Sequence, residues 1–152
     1  MPKTIQTIAP RELYDLMRTG RSIDLIDVRT TAEFRKVHAA RARPVPPDAF
    51  DPNALIASRA GARDEPLYVI CHSGYRSRKA CEAFLSAGFR NVVNVEGGTA
   101  AWEAAGLPVE REATSASLSN QIRAAAGLLI LLGGYLGYAV HPAFYVASAV
   151  AG

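Results

Sequence analysis

Residues 67–77 read Leu67-Tyr68-Val69-Ile70-Cys71-His72-Ser73-Gly74-Tyr75-Arg76-Ser77, and this stretch decides the fold class. Four apolar residues entered through Pro66 make a short buried strand. A polar loop, 71–76, follows at once. Ser77 then reads as the N-cap of a helix whose apolar positions are Ala80, Cys81, Phe84 and Leu85, with Gly88 closing it. The same alternation extends outward in both directions. Upstream, Thr4 to Ile8 reads as a strand, and Pro10 opens a helix with a Leu13, Leu16, Met17 stripe that stops near Gly20. Ile23 to Val28 reads as a buried strand and Ala32 to Lys36 as a helical turn. Prolines 44, 46 and 47 make Arg41 to Pro47 a loop or an edge, and Asn53 to Ser58 reads as a short helix. Downstream come a strand at Val92 to Val95 and a helix at Gly98 to Ala105. Strands separated by helices require crossover connections, so residues 1–109 are expected to form an α/β domain with a mainly parallel sheet covered on both faces.

Composition sets the outer limits. In 152 residues, 49% are hydrophobic, which excludes a disordered chain, and two cysteines exclude a disulfide-stapled module. The net charge of +3, from 17 basic and 14 acidic residues, gives no basic stripe for nucleic acid. No secretory signal opens the chain, so the domain is expected in the compartment of synthesis, where free thiols fit a reducing cytosol. The last charged residue is Arg123. Residues 110–121 read as a linker and residues 122–140 as a transmembrane helix. The uncharged Ala124 to Val140 spans roughly 25 Å at about 1.5 Å per residue, and Ile122 with a snorkelling Arg123 extends it toward an average ~30 Å core. A buried helix of a soluble fold is the alternative, disfavoured because the segment is apolar on every face. His141-Pro142 interrupts the run, and residues 141–152 read as a break and an incomplete second apolar helix. Gly133 and Gly137, with Gly134 beside them, form a close-packing face expected to support a homodimer in lipid, as against packing on the chain's own second segment.

The chemistry concentrates in the 71–76 loop. A buried strand delivers Cys71 to the carboxyl edge of a parallel sheet, where such folds bind ligands. A helix N-terminus faces the thiol, Gly74 allows the curvature that turns N–H groups inward, and Arg76 adds positive charge. All three favour thiolate, so Cys71 is the expected nucleophile in an anion-binding cup formed by His72, Ser73, Gly74, Tyr75 and Arg76. The bland alternative is a small apolar residue at a strand end. Cys81, on the apolar stripe, reads as a core residue rather than a resolving thiol, and Trp102 as a packing aromatic. His72 either steers a donor or simply faces solvent, and His38 reads as a turn residue. Asp27 is expected to orient the cup, with Ser77 beside it, and Arg29 to pair with Glu33. No metal-ligand spacing is present, so no metal and no cofactor are expected.

Cys71-x-x-Gly74-x-Arg76-Ser77 resembles the active-site loop of rhodanese-like sulfurtransferases. Asp27-Val28-Arg29 with Glu33-Phe34, then Gly88-Phe89-Arg90-Asn91-Val92, then Glu96-Gly97-Gly98 with Trp102, resemble that family's remaining signatures in order, over residues 4–109. The chain departs at His38-Ala39-Ala40-Arg41-Ala42, where the family commonly carries His-Ile-Pro-Gly-Ala. With its apolar tail, it resembles the membrane-anchored rhodaneses of bacteria, which end in a two-helix hairpin. The resemblance implies that Cys71 attacks a small anionic sulfur donor such as thiosulfate, holds a persulfide, and passes sulfur to a thiol or cyanide. It also implies an inner-membrane protein, touching lipid, with the domain cytoplasmic, as the basic residues before the span require. Two alternatives stand beside this. Rhodanese-like phosphatases enclose five residues between Cys and Arg, whereas Cys71 and Arg76 enclose only 72–75. A tethered persulfide or redox carrier without turnover would use the same thiol.

Overall fold

The computed structural model describes residues 4–59, 65–112, 123 and 125–128. Contacts divide the chain into two units, 1–112 and 113–152. In the first, the elements are β1 (Gln6–Ile8), α1 (Pro10–Arg18), β2 (Asp24–Asp27), α2 (Thr31–Lys36), β3 (His38–Ala39), β4 (Arg43–Pro44), α3 (Pro52–Ser58), β5 (Leu67–Ile70), α4 (Tyr75–Ser86), β6 (Val92–Val95), α5 (Gly98–Ala104) and β7 (Val109–Glu110). Five strands form one parallel sheet in the order β1-β6-β5-β2-β4. β5 is its middle strand and is buried along its whole length.

Side chains alternate across a strand, so β5 serves two cores. Leu67 and Val69 join Ile26, Val92, Cys81, Phe84 and Phe89 on one face, with Leu55 and Ile56 of α3 packed against them. Tyr68 and Ile70 join Leu25, Val93, Val95, Leu13, Met17 and Trp102 on the other. α3 and α4 therefore cover one face, and α1 and α5 the opposite one. Trp102 is fully buried. Its Nε1 donates to the Pro108 carbonyl at 2.8 Å, and Tyr14 meets its ring edge-on with centroids 6.2 Å apart.

The sequence reading locates the sheet and its helices, with two corrections beside one reading that holds, the edge at residues 41–47. α4 begins at Tyr75, and its N-cap is Gly74 rather than Ser77. β4 is a two-residue edge strand, as the prolines permit. β3 and β7, paired antiparallel as a separate ribbon, escape sequence reading because two residues carry no periodicity. The altered His38–Ala42 segment keeps a tight turn, closed by the Ala42 N–H on the Ala39 carbonyl at 3.0 Å. Arg41 occupies the left-handed region there, at φ 69°, where an L-residue costs about 1–2 kcal/mol. The β3–β7 ribbon and the Ala40 N–H, bonded to the Pro108 carbonyl at 3.1 Å, hold the turn against that strain.

In the second unit, Arg123 and residues 125–128 are helical. The rest of the expected span 122–140 and the segment 141–152, with Gly133 and Gly137, lie outside the described residues. Among the described residues, no helix is long and apolar enough to cross a membrane.

Candidate active site

Cys71 leaves the middle of the sheet at its carboxyl edge, next to the end of β2, where Ile70 is level with Asp27. The chain reverses within three residues to enter α4. Gly74 makes this possible at φ +90°, and a Cβ there would lie 3.2 Å from the Gly97 nitrogen. The reversal turns donors onto the sulfur. The Gly74 N–H reaches Sγ at 3.2 Å and the Ser77 hydroxyl reaches it at 3.3 Å. Cys71 is fully buried, and burial alone would raise its pKa. The Ser77 hydroxyl and the N–H groups of Ser77, Ser73 and Gly74 outweigh that, so the thiol sits below its ordinary value. Ser77 thus spends its hydroxyl on the sulfur instead of capping the helix.

The carbonyls of the same loop face the other way, onto the first turn of α5. Thr99 donates its N–H to the Cys71 carbonyl at 2.7 Å and its hydroxyl to the same oxygen at 3.1 Å. The Ala100 N–H takes the His72 carbonyl at 3.0 Å. Such an approach demands glycine at 98, since a Cβ there would fall 2.3 Å from the Cys71 oxygen. Sequence reasoning missed Thr99 and Ala100. The Gly97-Gly98 doublet was the available signal, because paired glycines mark close backbone approach.

Arg76 does not stand free beside the sulfur. Its guanidinium grips Glu33 of α2 through two bonds, 2.6 and 2.9 Å long. Glu33 in turn closes a capping box with Thr30 at the start of that helix. The expected Arg29–Glu33 pair is therefore replaced. Arg29 turns back onto Asp27, Nη2 to Oδ2 at 2.7 Å, with its backbone N–H also on that carboxylate, and reaches the Val37 carbonyl at 2.7 Å. Asp27 and Arg29 are both buried, and separating them would strand an uncompensated buried charge.

The hydrogen bonds from Arg76 hold the Glu33 carboxyl down to about 2, against an ordinary 4.5. A depressed carboxylate contributes stability above its unfolded pKa and loses it as pH falls through the folded one. The pair's contribution is thus whole above about pH 4.5 and fades toward pH 2, reduced in size because both groups are over a third exposed. Glu33→Gln is expected to flatten the acid limb of a stability–pH curve over that window while leaving stability between pH 6 and 8 within about 1 kcal/mol of wild type. Thermal melts from pH 2 to 8 measure it. An acid limb of unchanged slope would contradict the assignment.

Two grooves flank the loop, and the Arg76–Glu33 pair stands between them. One, of about 400 Å³, carries the charged or polar side chains of His72, Arg29, Glu33, Lys36, Glu103 and Arg111 along its walls. The other, of about 280 Å³, is lined by Val28, Pro47, Phe50, Arg76, Lys79 and Ala80. His72 and Ser73 are exposed. Tyr75 is 65% exposed, with the Lys79 ammonium 4.8 Å from its ring centroid. Cys81 is fully buried in the core, and burial pushes its thiol up to about 12. His38 is buried, stacked on Phe34 and bonded to the Phe34 carbonyl at 2.8 Å. Among the described residues, no group of His, Cys, Asp or Glu is placed to hold a metal.

A parallel five-stranded α/β domain with a cysteine cupped at the edge of its middle strand defines a class of small domains. Residues 9–105 match the Rhodanese-like domain family, and the chain belongs to it. An uncharacterized protein of Synechocystis sp. is 36% identical over 151 residues, covering 99% of this chain and 82% of its own. A protein named sulfurtransferase from Allochromatium vinosum is 36% identical over 108 residues, covering 69% and 94%. The crystal structure of thiosulfate sulfurtransferase from Pseudomonas aeruginosa superposes with a TM-score of 0.64 at 23% identity, over 72% of this chain and 21% of that one. That last likeness bears on the fold.

Proposed function

We propose that this protein is a sulfurtransferase of the thiosulfate type, carrying the transferred sulfur on Cys71. The observation behind the reading is the ring of donors on Sγ: the Gly74 N–H at 3.2 Å and the Ser77 hydroxyl at 3.3 Å, with the Ser73 N–H beside them. These donors favour the thiolate that attacks, and then the terminal sulfur of the persulfide that results. In the first half-reaction, the Cys71 thiolate attacks the outer sulfur of thiosulfate. A Cys71–S bond forms, the donor's S–S bond breaks, and sulfite leaves with that electron pair. In the second, cyanide or a thiolate attacks the terminal sulfur and Cys71 leaves as thiolate. No external oxidant is needed. Arg76, engaged with Glu33, holds the loop to α2 and leaves anion capture chiefly to the backbone N–H groups. The name of the Allochromatium protein, sulfurtransferase, favours the same general class of activity.

The direct experiment mixes the protein with thiosulfate, looks for one added sulfur on the Cys71 peptide, and then follows thiocyanate release on adding cyanide. Sustained turnover marks an enzyme. A single stoichiometric discharge marks a carrier.

The same proposal tethers the domain to the cytoplasmic face of a bacterial inner membrane through residues 122–140. Two facts support this: no Asp, Glu, Lys or Arg follows Arg123, and the likeness to the Synechocystis protein runs over 151 residues and so includes the apolar tail. In intact spheroplasts the protein is expected to sediment with membranes and to resist external protease. A carbonate-extractable protein, or one cut from outside, would overturn the placement.

A further inference from the structure

The mechanism above uses the N–H groups of the 71–74 loop, and their direction has a cause elsewhere in the fold. Every peptide bond among the described residues is trans, so the C=O of one residue and the N–H of the next point in opposite directions. Fixing the His72 carbonyl on the Ala100 N–H therefore aims the Ser73 N–H away from α5, toward Sγ. Fixing the Cys71 carbonyl sets the peptide plane before it. That oxygen receives two donors from one residue, the Thr99 N–H at 2.7 Å and the Thr99 hydroxyl at 3.1 Å. Thr99 is 1% exposed, and no described side chain other than Thr99 donates to this carbonyl.

We propose that Thr99 is a positioning residue for sulfur transfer: its double anchor on the Cys71 carbonyl holds the loop so that the Ser73 and Gly74 N–H groups converge on the sulfur. Thr99 never touches the reacting atoms. It rests on the sulfurtransferase reading only for the chemistry it serves, since the geometry stands without it. The backbone N–H survives any substitution here, so the hydroxyl is the part that mutation isolates. Valine matches threonine in shape and lacks the donor. Serine restores the donor without the methyl group.

Thr99→Val, Thr99→Ala and Thr99→Ser in the full chain give the test. The first readout is the rate of sulfur uptake from thiosulfate against pH, resolved into kcat and KM. The second is alkylation of Cys71 by iodoacetamide against pH, which needs no sulfur transfer. Loss of one hydrogen bond at this anchor corresponds to about a five- to tenfold lower limiting rate. Thr99→Val is expected to show that loss mainly in kcat, with both pH inflections moved upward toward an ordinary thiol. Thr99→Ser is expected to restore rate and inflection together. Thr99→Ala carries the same measurement should the valine protein fail to fold. A lower Tm with both pH profiles unmoved, measured well below the transition, would reduce Thr99 to a packing residue and overturn the proposal. A wild-type protein that takes up no sulfur would remove the sulfurtransferase reading instead, and the alkylation profiles would still decide the role of Thr99.

Discussion

The Cys71→Ser protein is expected to fold as the wild type does and to take up no sulfur from thiosulfate, with a residual rate below about a thousandth of normal, as for loss of an activated nucleophile. Serine fits the same space and can keep the Gly74 N–H and Ser77 hydroxyl as partners, which hold Sγ at 3.2 and 3.3 Å. It lacks the low-lying ionisation and the polarisable atom that bonds to sulfur. Stability should stay within about 1 kcal/mol, since no cavity opens and no buried donor is stranded. Cys81 cannot substitute, because burial in the core pushes its thiol to about 12. Intact-mass measurement after thiosulfate treatment, beside a thermal melt, gives both answers. A Cys71→Ser protein that still gained one sulfur atom would move the chemistry to another residue.

Gly98→Ala is the second large effect, and it acts from a position that never meets the substrate. The added Cβ would lie 2.3 Å from the Cys71 oxygen, 2.6 Å from the His72 carbonyl carbon and 2.7 Å from its oxygen. All three atoms are backbone, so no side chain can swing aside. The φ of +59° adds the ordinary left-handed penalty of about 1–2 kcal/mol. Relief requires α5 to retreat from the loop, which breaks the Thr99 and Ala100 bonds to the two carbonyls. The expected loss is about 3–5 kcal/mol of stability, together with sulfur uptake reduced by a hundredfold or more in whatever fraction folds. Gly106→Ala separates strain from clash: φ there is +65°, but nothing lies within 4 Å of the added carbon, so about 1–2 kcal/mol and normal activity are expected. Equal effects of the two substitutions would show that the close approach at Gly98 contributes nothing.

Several features were legible in the chain because they are local. Leu67–Ile70 and Val92–Val95 match the strands read from apolar runs bounded by turn residues. Pro10 at the start of α1 and Gly20 just beyond its end are short-range signals that tertiary structure did not override. The thiolate-favouring setting of Cys71 was legible for the same reason: strand, glycine turn and helix start lie within a dozen consecutive residues, and their electrostatic effects on the thiol need no distant partner.

Pairings between separated segments were not legible. Arg76 reads in sequence as a free cation beside the sulfur, yet in the fold it closes on Glu33, 43 positions earlier. The apparent partner of Glu33, Arg29, instead folds back on Asp27. Nothing in the order of residues ranks these alternatives, because each guanidinium could reach either carboxylate until β2, α2 and α4 are fixed in space. Ser77 reads as a helix cap, and only the approach of the sulfur to its hydroxyl shows where that donor goes. Thr99 carries only the indirect signal of the Gly97-Gly98 doublet beside it, since its partner is fixed only once α5 is seated against a loop 28 positions away. The α/β alternation, the place of Cys71 at a strand end before a helix, and the curvature of its loop were legible in residue order, because all are products of neighbouring residues. Which groups hold that loop in place follows from the packed fold, because hydrogen bonds and ion pairs between distant segments are chosen after the chain has brought those residues within reach.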